Sequence, residues 1–136
     1  MKTKKMKIGD LDRAIREELF NLHACFVNPD ATERDFYSRL VPIKTIDLRA
    51  IPKEALYSLD AHQVERYSPT LTNPSTKFPA IAGESLIDGL HRISTAIAKG
   101  QTKMEVVDLG KLINTDESDF QIKVKVIPEK QITLSM

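Results

Sequence analysis

At 136 residues the chain is long enough to bury a real core as one main domain. Its 20 basic and 19 acidic residues nearly cancel, which excludes a strongly electrostatic nucleic-acid binder unless a local patch supplies the attraction. A single cysteine excludes an internal disulfide and a cysteine-based metal cluster, and no apolar stretch approaches the roughly 20 residues a membrane span needs. The start, Met1-Lys2-Thr3-Lys4-Lys5, is basic but lacks the apolar run of a signal peptide. The expectation is a cytoplasmic protein with no membrane association.

Ile8, Leu11, Ile15, Leu19, Leu22 and Phe26 step by three or four and predict a long amphipathic helix. Asp10 suits its N-cap, and Asn28-Pro29 ends it. Cys25 lies beside that stripe and is expected to be a packed thiol, slow to modify; His23, two residues away, falls on a different face. Asp30-Ala31-Thr32-Glu33 resembles a capping box that opens a short second helix through Phe36, Tyr37 and Leu40. We read residues 1–40 as an N-terminal helical extension, whose stripe offers a site for a protein partner or a homodimer unless it packs on the same molecule. Lys2, Lys4, Lys5 and Lys7 read as a solubilising tail, with DNA contact as the alternative.

Residues 41–48 have strand composition, but their alternation changes phase near Thr45, which predicts a bulge or an edge strand. Asp47 and Arg49 are expected as an exposed pair. Residues 56–67 are weakly helical and include His62 and Glu65, both expected at the surface. Residues 68–77, rich in Ser, Thr and Pro and ending at Lys77, form a long loop. Residues 104–109 read as a strand. Phe120, Ile122, Val124 and Val126 alternate with polar residues and predict a half-buried strand, with Ile132 and Leu134 pairing back.

Chemistry concentrates in Asp88-Gly89-Leu90-His91-Arg92. The apolar pair Leu86-Ile87 precedes it, and Leu90, Ile93, Ala96 and Ile97 follow at helical spacing, so the segment predicts strand, tight turn, helix. His91, Thr95 and Lys99 would share another face, beside Arg92 and Ser94. A glycine turn before a helix N-terminus admits an anion, and an arginine supplies a bidentate fork for phosphate. Arg92 is expected at the surface, where truncation would cost under about 0.5 kcal/mol. Taken alone, these five residues also read as an N-cap, a turn glycine and a solvated first turn.

The wider stretch joins Phe78-Pro79-Ala80-Ile81, Gly83-Glu84, Leu86-Ile87, the Asp-Gly-Leu-His-Arg motif, Ala96, Lys99-Gly100 and Met104-Glu105-Val106-Val107. It resembles the ParB/sulfiredoxin superfamily, in the branch where a hairpin leads into Asp-Gly-x-His-Arg, a helix closing at glycine, and a strand. The resemblance implies an α+β domain with a small mixed sheet over residues 41–136. Sulfiredoxins carry a cysteine directly before the His-Arg pair, where this chain has Leu90, so the resemblance does not extend to sulfinate repair. It also has His-Arg in place of the Glu-Arg-Arg of CTP-binding members.

What the resemblance implies is nucleotide-phosphate binding, with nucleotide hydrolysis or phosphoryl transfer as the reactions such a site would support. The phosphate-binding candidates are Gly89, Arg92, Ser94 and Thr95; the catalytic candidates are His91 and Asp88. The ligand would be a nucleoside triphosphate or diphosphate with magnesium. Asp88 raises a conflict, because a carboxylate at a helix N-terminus repels phosphate. Either a divalent cation on Asp88 bridges the two, or Asp88 turns away and orients His91. Two other readings stand beside this one: a non-catalytic interaction protein of phage or plasmid type, and a DNA-binding or nuclease ParB-like protein.

Overall fold

A computed structural model describes residues 4–56, 78–115 and 122–128. The expected loop 68–77, His62, Glu65, Phe120 and the segment from Ile132 lie outside the described residues. The fold is mixed α+β. Strand β1 (Lys5–Lys7) leads through a 3-10 turn at Ile8–Asp10 into helix α1 (Arg13–Phe26) and the short helix α2 (Glu33–Tyr37). Strand β2 (Leu40–Asp47) follows, then β3 (Ala80–Ala82), β4 (Ser85–Asp88), helix α3 (Leu90–Ala98), β5 (Lys103–Asp108) and β6 (Val126–Ile127).

The small sheet runs β1-β2-β5-β3-β4, antiparallel except where β3 lies parallel to β5. β6 pairs with β2 at Thr45 and Ile46, beyond the three pairs that β1 makes with Leu40, Val41 and Pro42. Just before β6, the chain pairs with the edge of β4: the Leu86 N–H donates to the Ile122 carbonyl and the Val124 N–H to the Glu84 carbonyl. Residues 122–127 thus join the β4 edge to β2 and curl the sheet toward closure. Ile122, Val124 and Val126 face one core, as their alternation predicts.

β2 corrects the expectation of a bulge or an edge strand. Its register with β5 is continuous from Ile43 opposite Val107 to Asp47 opposite Lys103, and strands flank it on both sides. The change of phase marks a change of covered face. Val41 and Ile43 belong to a core with Ile8, Leu11, Leu19 and Phe36. Ile46 and Leu48 belong to a second core with Ile81, Leu86, Ile93, Ala96 and Val106. The irregular register lies instead in the β3–β4 hairpin, between Ala80 and Ile81.

The N-terminal segment is woven into this arrangement. α1 starts later than Asp10 suggests, with Asp12 at its N-cap, and Thr32 caps α2 by accepting the Asp35 N–H at 3.2 Å. The buried stripe runs from Ile8 and Leu11 to Leu19, then passes to His23 rather than Phe26. His23 stacks on Phe36 with ring centroids 4.9 Å apart, and its Nδ1 hydrogen-bonds the Leu112 carbonyl at 2.7 Å. Phe26 and Val27 are exposed, and so is Cys25, contrary to the packed thiol expected from the stripe. The physical reason is position: in the last turn of α1 the contact with Phe36 and Leu112 falls to His23, which leaves Cys25 and Phe26 outward. Lys5 and Lys7, read from sequence as part of a tail, sit in a paired strand.

Each buried side chain among Ile8, Leu11, Leu19 and Phe36 contributes about 1.5–3 kcal/mol by leaving water. A domain's whole margin is only about 5–15 kcal/mol. Deleting residues 1–40 should therefore yield an insoluble or molten product, which near-UV circular dichroism and a urea transition would reveal. A soluble truncation with a cooperative transition would contradict the shared core.

Candidate functional site

The site lies where β4 hands over to α3. Gly89 is the N-cap of α3 with φ of 106°, left-handed backbone that side chains other than glycine's rarely adopt. A Cβ built there would lie 2.6 Å from Pro79 Cβ and 2.7 Å from Pro79 Cα. The hydrogen of Gly89 thus lets the start of β3 pack against the turn, which sets the entry angle of α3. At the far end of the hairpin, Gly83 also has positive φ, 64°, but a Cβ there would meet nothing within 4 Å.

Asp88 Oδ1 accepts the Gly89 N–H at 2.8 Å. Its carboxylate is therefore engaged on the turn itself, and the helix has no side-chain cap at Gly89. Burial pushes Asp88 above the usual carboxylate range, with the Gly89 hydrogen bond opposing part of the shift. The first-turn N–H groups belong to Leu90, His91 and Arg92, which an α-helix cannot satisfy internally. His91 is exposed at the rim. Arg92 is only 7% exposed, which corrects the expectation of a surface arginine. Burial lowers its pKa to about 10, and the negative charge of Asp12 at the start of α1 opposes that shift. Two widely separated stretches thus meet electrostatically at Arg92.

The remaining candidates are placed differently. Thr95 is fully buried one turn further on, and its Oγ1 donates to the His91 carbonyl at 2.8 Å. Ser94 is buried beside it. Residues 92 to 96 are all buried, more than a full helical turn, so α3 is enclosed on every side. The polar face expected for His91, Thr95 and Lys99 is therefore split: His91 and Lys99 are exposed, and Thr95 is not. The structure brings Asp88, Gly89, His91 and Arg92 together around one turn and leaves Thr95 engaged within the helix. Among the described residues, no group of three or more His, Cys, Asp or Glu gathers as a metal cluster, so a cation on Asp88 would draw on that one carboxylate and on its own ligand's oxygens.

One organising residue escaped the sequence reading. Asp108 is buried at the end of β5, and its Oδ1 accepts the Gly83 N–H at 3.0 Å and the Gly110 N–H at 2.9 Å. Its Oδ2 lies 3.2 Å from Lys44 Nζ. This carboxylate ties the hairpin turn to the strand end and to β2. The Asp-x-Gly spacing at Asp108 and Gly110 was the available signal, since aspartate commonly accepts the N–H two residues on. Asp47 and Arg49, by contrast, form the exposed pair expected of them, with Arg49 Nε 3.0 Å from Asp47 Oδ1.

Comparison with known proteins adds no relative. No family model matches the chain, and neither the curated proteins nor the solved structures searched contain a match.

Gly89→Ala should cost about 2 kcal/mol or more, since left-handed backbone alone costs about 1–2 kcal/mol and the Pro79 overlap adds to it. Gly83→Ala should cost about 1 kcal/mol, from backbone alone. Urea denaturation of both variants checks the order, and equal losses would remove Pro79 from the account.

The raised pKa of Asp88 has a definite sign. An acid whose pKa is higher folded than unfolded favours the folded state below its unfolded pKa and loses that contribution as pH rises through the folded one. Asp88→Asn keeps the oxygen that accepts the Gly89 N–H and removes the charge. The variant should match or exceed wild-type stability at pH 7, and its advantage should vanish below the ordinary aspartate range, near pH ~3. Urea transitions at the two pH values measure this; a variant clearly less stable at neutral pH would show that the charge serves the fold.

Proposed function

We propose that the β4–α3 turn is a phosphate site and that the protein binds a nucleotide there, in a fold of the ParB/sulfiredoxin type. The observation that supports this reading most is Arg92: a guanidinium held largely out of water in the first turn of a nine-residue helix, directly after a left-handed glycine. An anion that reaches such a cation is attracted far more strongly than at an exposed site, because less solvent screens the pair. In this reading Arg92 clamps phosphate oxygens and Gly89 lets them approach the backbone at the start of the helix. His91, at the exposed rim, donates a hydrogen bond to the phosphate or exchanges its proton with the leaving group. Asp88 would take magnesium carried in by the nucleotide, which resolves its repulsion of phosphate. Hydrolysis or phosphoryl transfer then belongs to the same site, with Ser94 and Thr95 supporting the helix rather than reaching the ligand.

A second reading, a non-catalytic interaction protein, draws on a different observation. Phe26 is 55% exposed, and with Val27, Gly83, Gly110 and Lys111 it lines an open cleft of about 600 Å³. Exposed apolar residues beside a cleft suit a partner.

A thermal-shift screen of ATP, ADP, CTP and GTP, with and without magnesium, separates the readings. A nucleotide at a hundred times its dissociation constant should stabilise the fold by about 2.7 kcal/mol. Because Arg92 is buried, Arg92→Ala leaves a cavity and confounds binding with stability. Arg92→Lys keeps the charge and loses the fork, and should weaken nucleotide binding about tenfold in a folded variant. If no nucleotide stabilises the wild-type protein, the phosphate-site reading fails; unchanged affinity in Arg92→Lys removes the clamp.

A further inference from the structure

Strand register puts an unexpected set of residues on one patch of the sheet. Lys5 lies opposite Pro42 and Lys7 opposite Leu40, so these four side chains share a face. Lys44, two residues beyond Pro42, continues that face toward Ile46. From Ile46 onward the face belongs to the core that Ile93 and Ala96 of α3 help to fill. At the β1 end, Lys5 and Lys7 are exposed and Leu40 is 60% exposed, the highest value among the exposed large hydrophobics of the described residues. Lys44 is partly exposed, and the carboxylate paired with it among the described residues, Asp108, already accepts two backbone N–H groups. The patch is thus a leucine among three lysines, on a chain whose overall charge is close to zero. β1 is also the last strand on its side of the sheet among the described residues.

We propose that this patch binds an acidic, extended segment of a partner protein, which adds to the β1 edge. The partner's carboxylates would meet Lys5 and Lys7 directly, while Leu40 and Lys44, one strand further in at about 9–10 Å, would be reached by its longer side chains on the same face. An edge strand offers backbone donors and acceptors in a row, and an incoming strand's alternate side chains read the face beside it. Charge selects the sign of the partner, and Leu40 favours a polypeptide over a phosphate backbone, because an aliphatic side chain gives nucleic acid no stacking surface. Lysines on an edge strand also discourage self-association, so a second copy of this equally basic strand is disfavoured by the same charges. The proposal does not rest on the phosphate site, which lies at the β4–α3 turn.

The test is a titration of the 136-residue protein, isotopically labelled, with a short synthetic peptide, Glu-Ser-Leu-Ser-Glu, whose carboxylates and leucine fall on one face of a strand, followed by amide chemical shifts. Saturable shifts should map to residues 4–8 and 40–44, and raising salt from low to physiological should weaken binding several-fold. The double variant Lys5→Glu, Lys7→Glu should weaken binding about tenfold or more, since opposing charges replace attracting ones. Both lysines are exposed, so the variant retains its fold, and its unchanged far-UV spectrum verifies this. The same peptide with lysine in place of both glutamates should give no shifts at these residues. Absence of saturable shifts, shifts mapping elsewhere, or indifference to the charge reversal would each overturn the proposal. So would tighter binding of an oligothymidylate to the same residues, which would make this a nucleic-acid surface.

Discussion

Strand β2 carries the constraint on which the rest of the fold depends. Its odd-numbered residues Val41 and Ile43 support one core, and Ile46 and Leu48 support the other. Side chains alternate strictly across a strand, so a slip of one residue would exchange the two sets and expose both cores to the wrong partners. β1, β5 and β6 all pair with β2, which fixes that register from both sides. The N-terminal helices and α3 consequently share a foundation while contributing to different cores. This explains why residues before position 40 and the motif helix form one interdependent structure without extensive helix-to-helix contact. It also gives the N-terminal segment an indirect hold on the site, since the charge of Asp12 is felt at Arg92.

How much of this was legible depended on what periodicity encodes. The spacing of Leu11, Ile15 and Leu19 revealed α1, and Leu86-Ile87 before Gly89 revealed the strand, turn and α3. Those elements are local, because their apolar pattern and turn residues lie within a few positions of one another. Periodicity records which residues are apolar, but not which faces another element covers. Phe26 continues the stripe of α1 and yet is exposed, because in the last turn His23 makes the contact with Phe36 and Leu112, and Cys25 is exposed with it. Arg92 reads as a surface residue and Ser94 and Thr95 as part of a polar helix face, and yet all three are buried, because tertiary packing encloses the middle of α3. The phase change in β2 read as an irregularity because a two-sided strand satisfies neither simple alternation nor a continuous apolar run. In the site, the glycine turn and the order of its neighbours were visible. The burial of Arg92, the overlap that excludes a side chain at Gly89, and the role of Asp108 were not, since each arises from residues far apart in sequence.

Burial at the turn acts on two opposite charges. It raises the pKa of Asp88 and lowers that of Arg92, so each group is pushed toward its neutral form. The Gly89 N–H favours the Asp88 carboxylate, and the charge of Asp12 contributes in favour of the Arg92 guanidinium. Asp88 is therefore engaged on the turn through the Gly89 N–H. Apolar residues of similar volume often serve a core as well as buried charges do, so a part-buried carboxylate and a guanidinium kept largely from water around a left-handed glycine are costs to stability. Perturbed groups of opposite sign, set on a rigid turn, are what anion and cation recognition require. The left-handed turn against Pro79 holds both perturbed groups in one place.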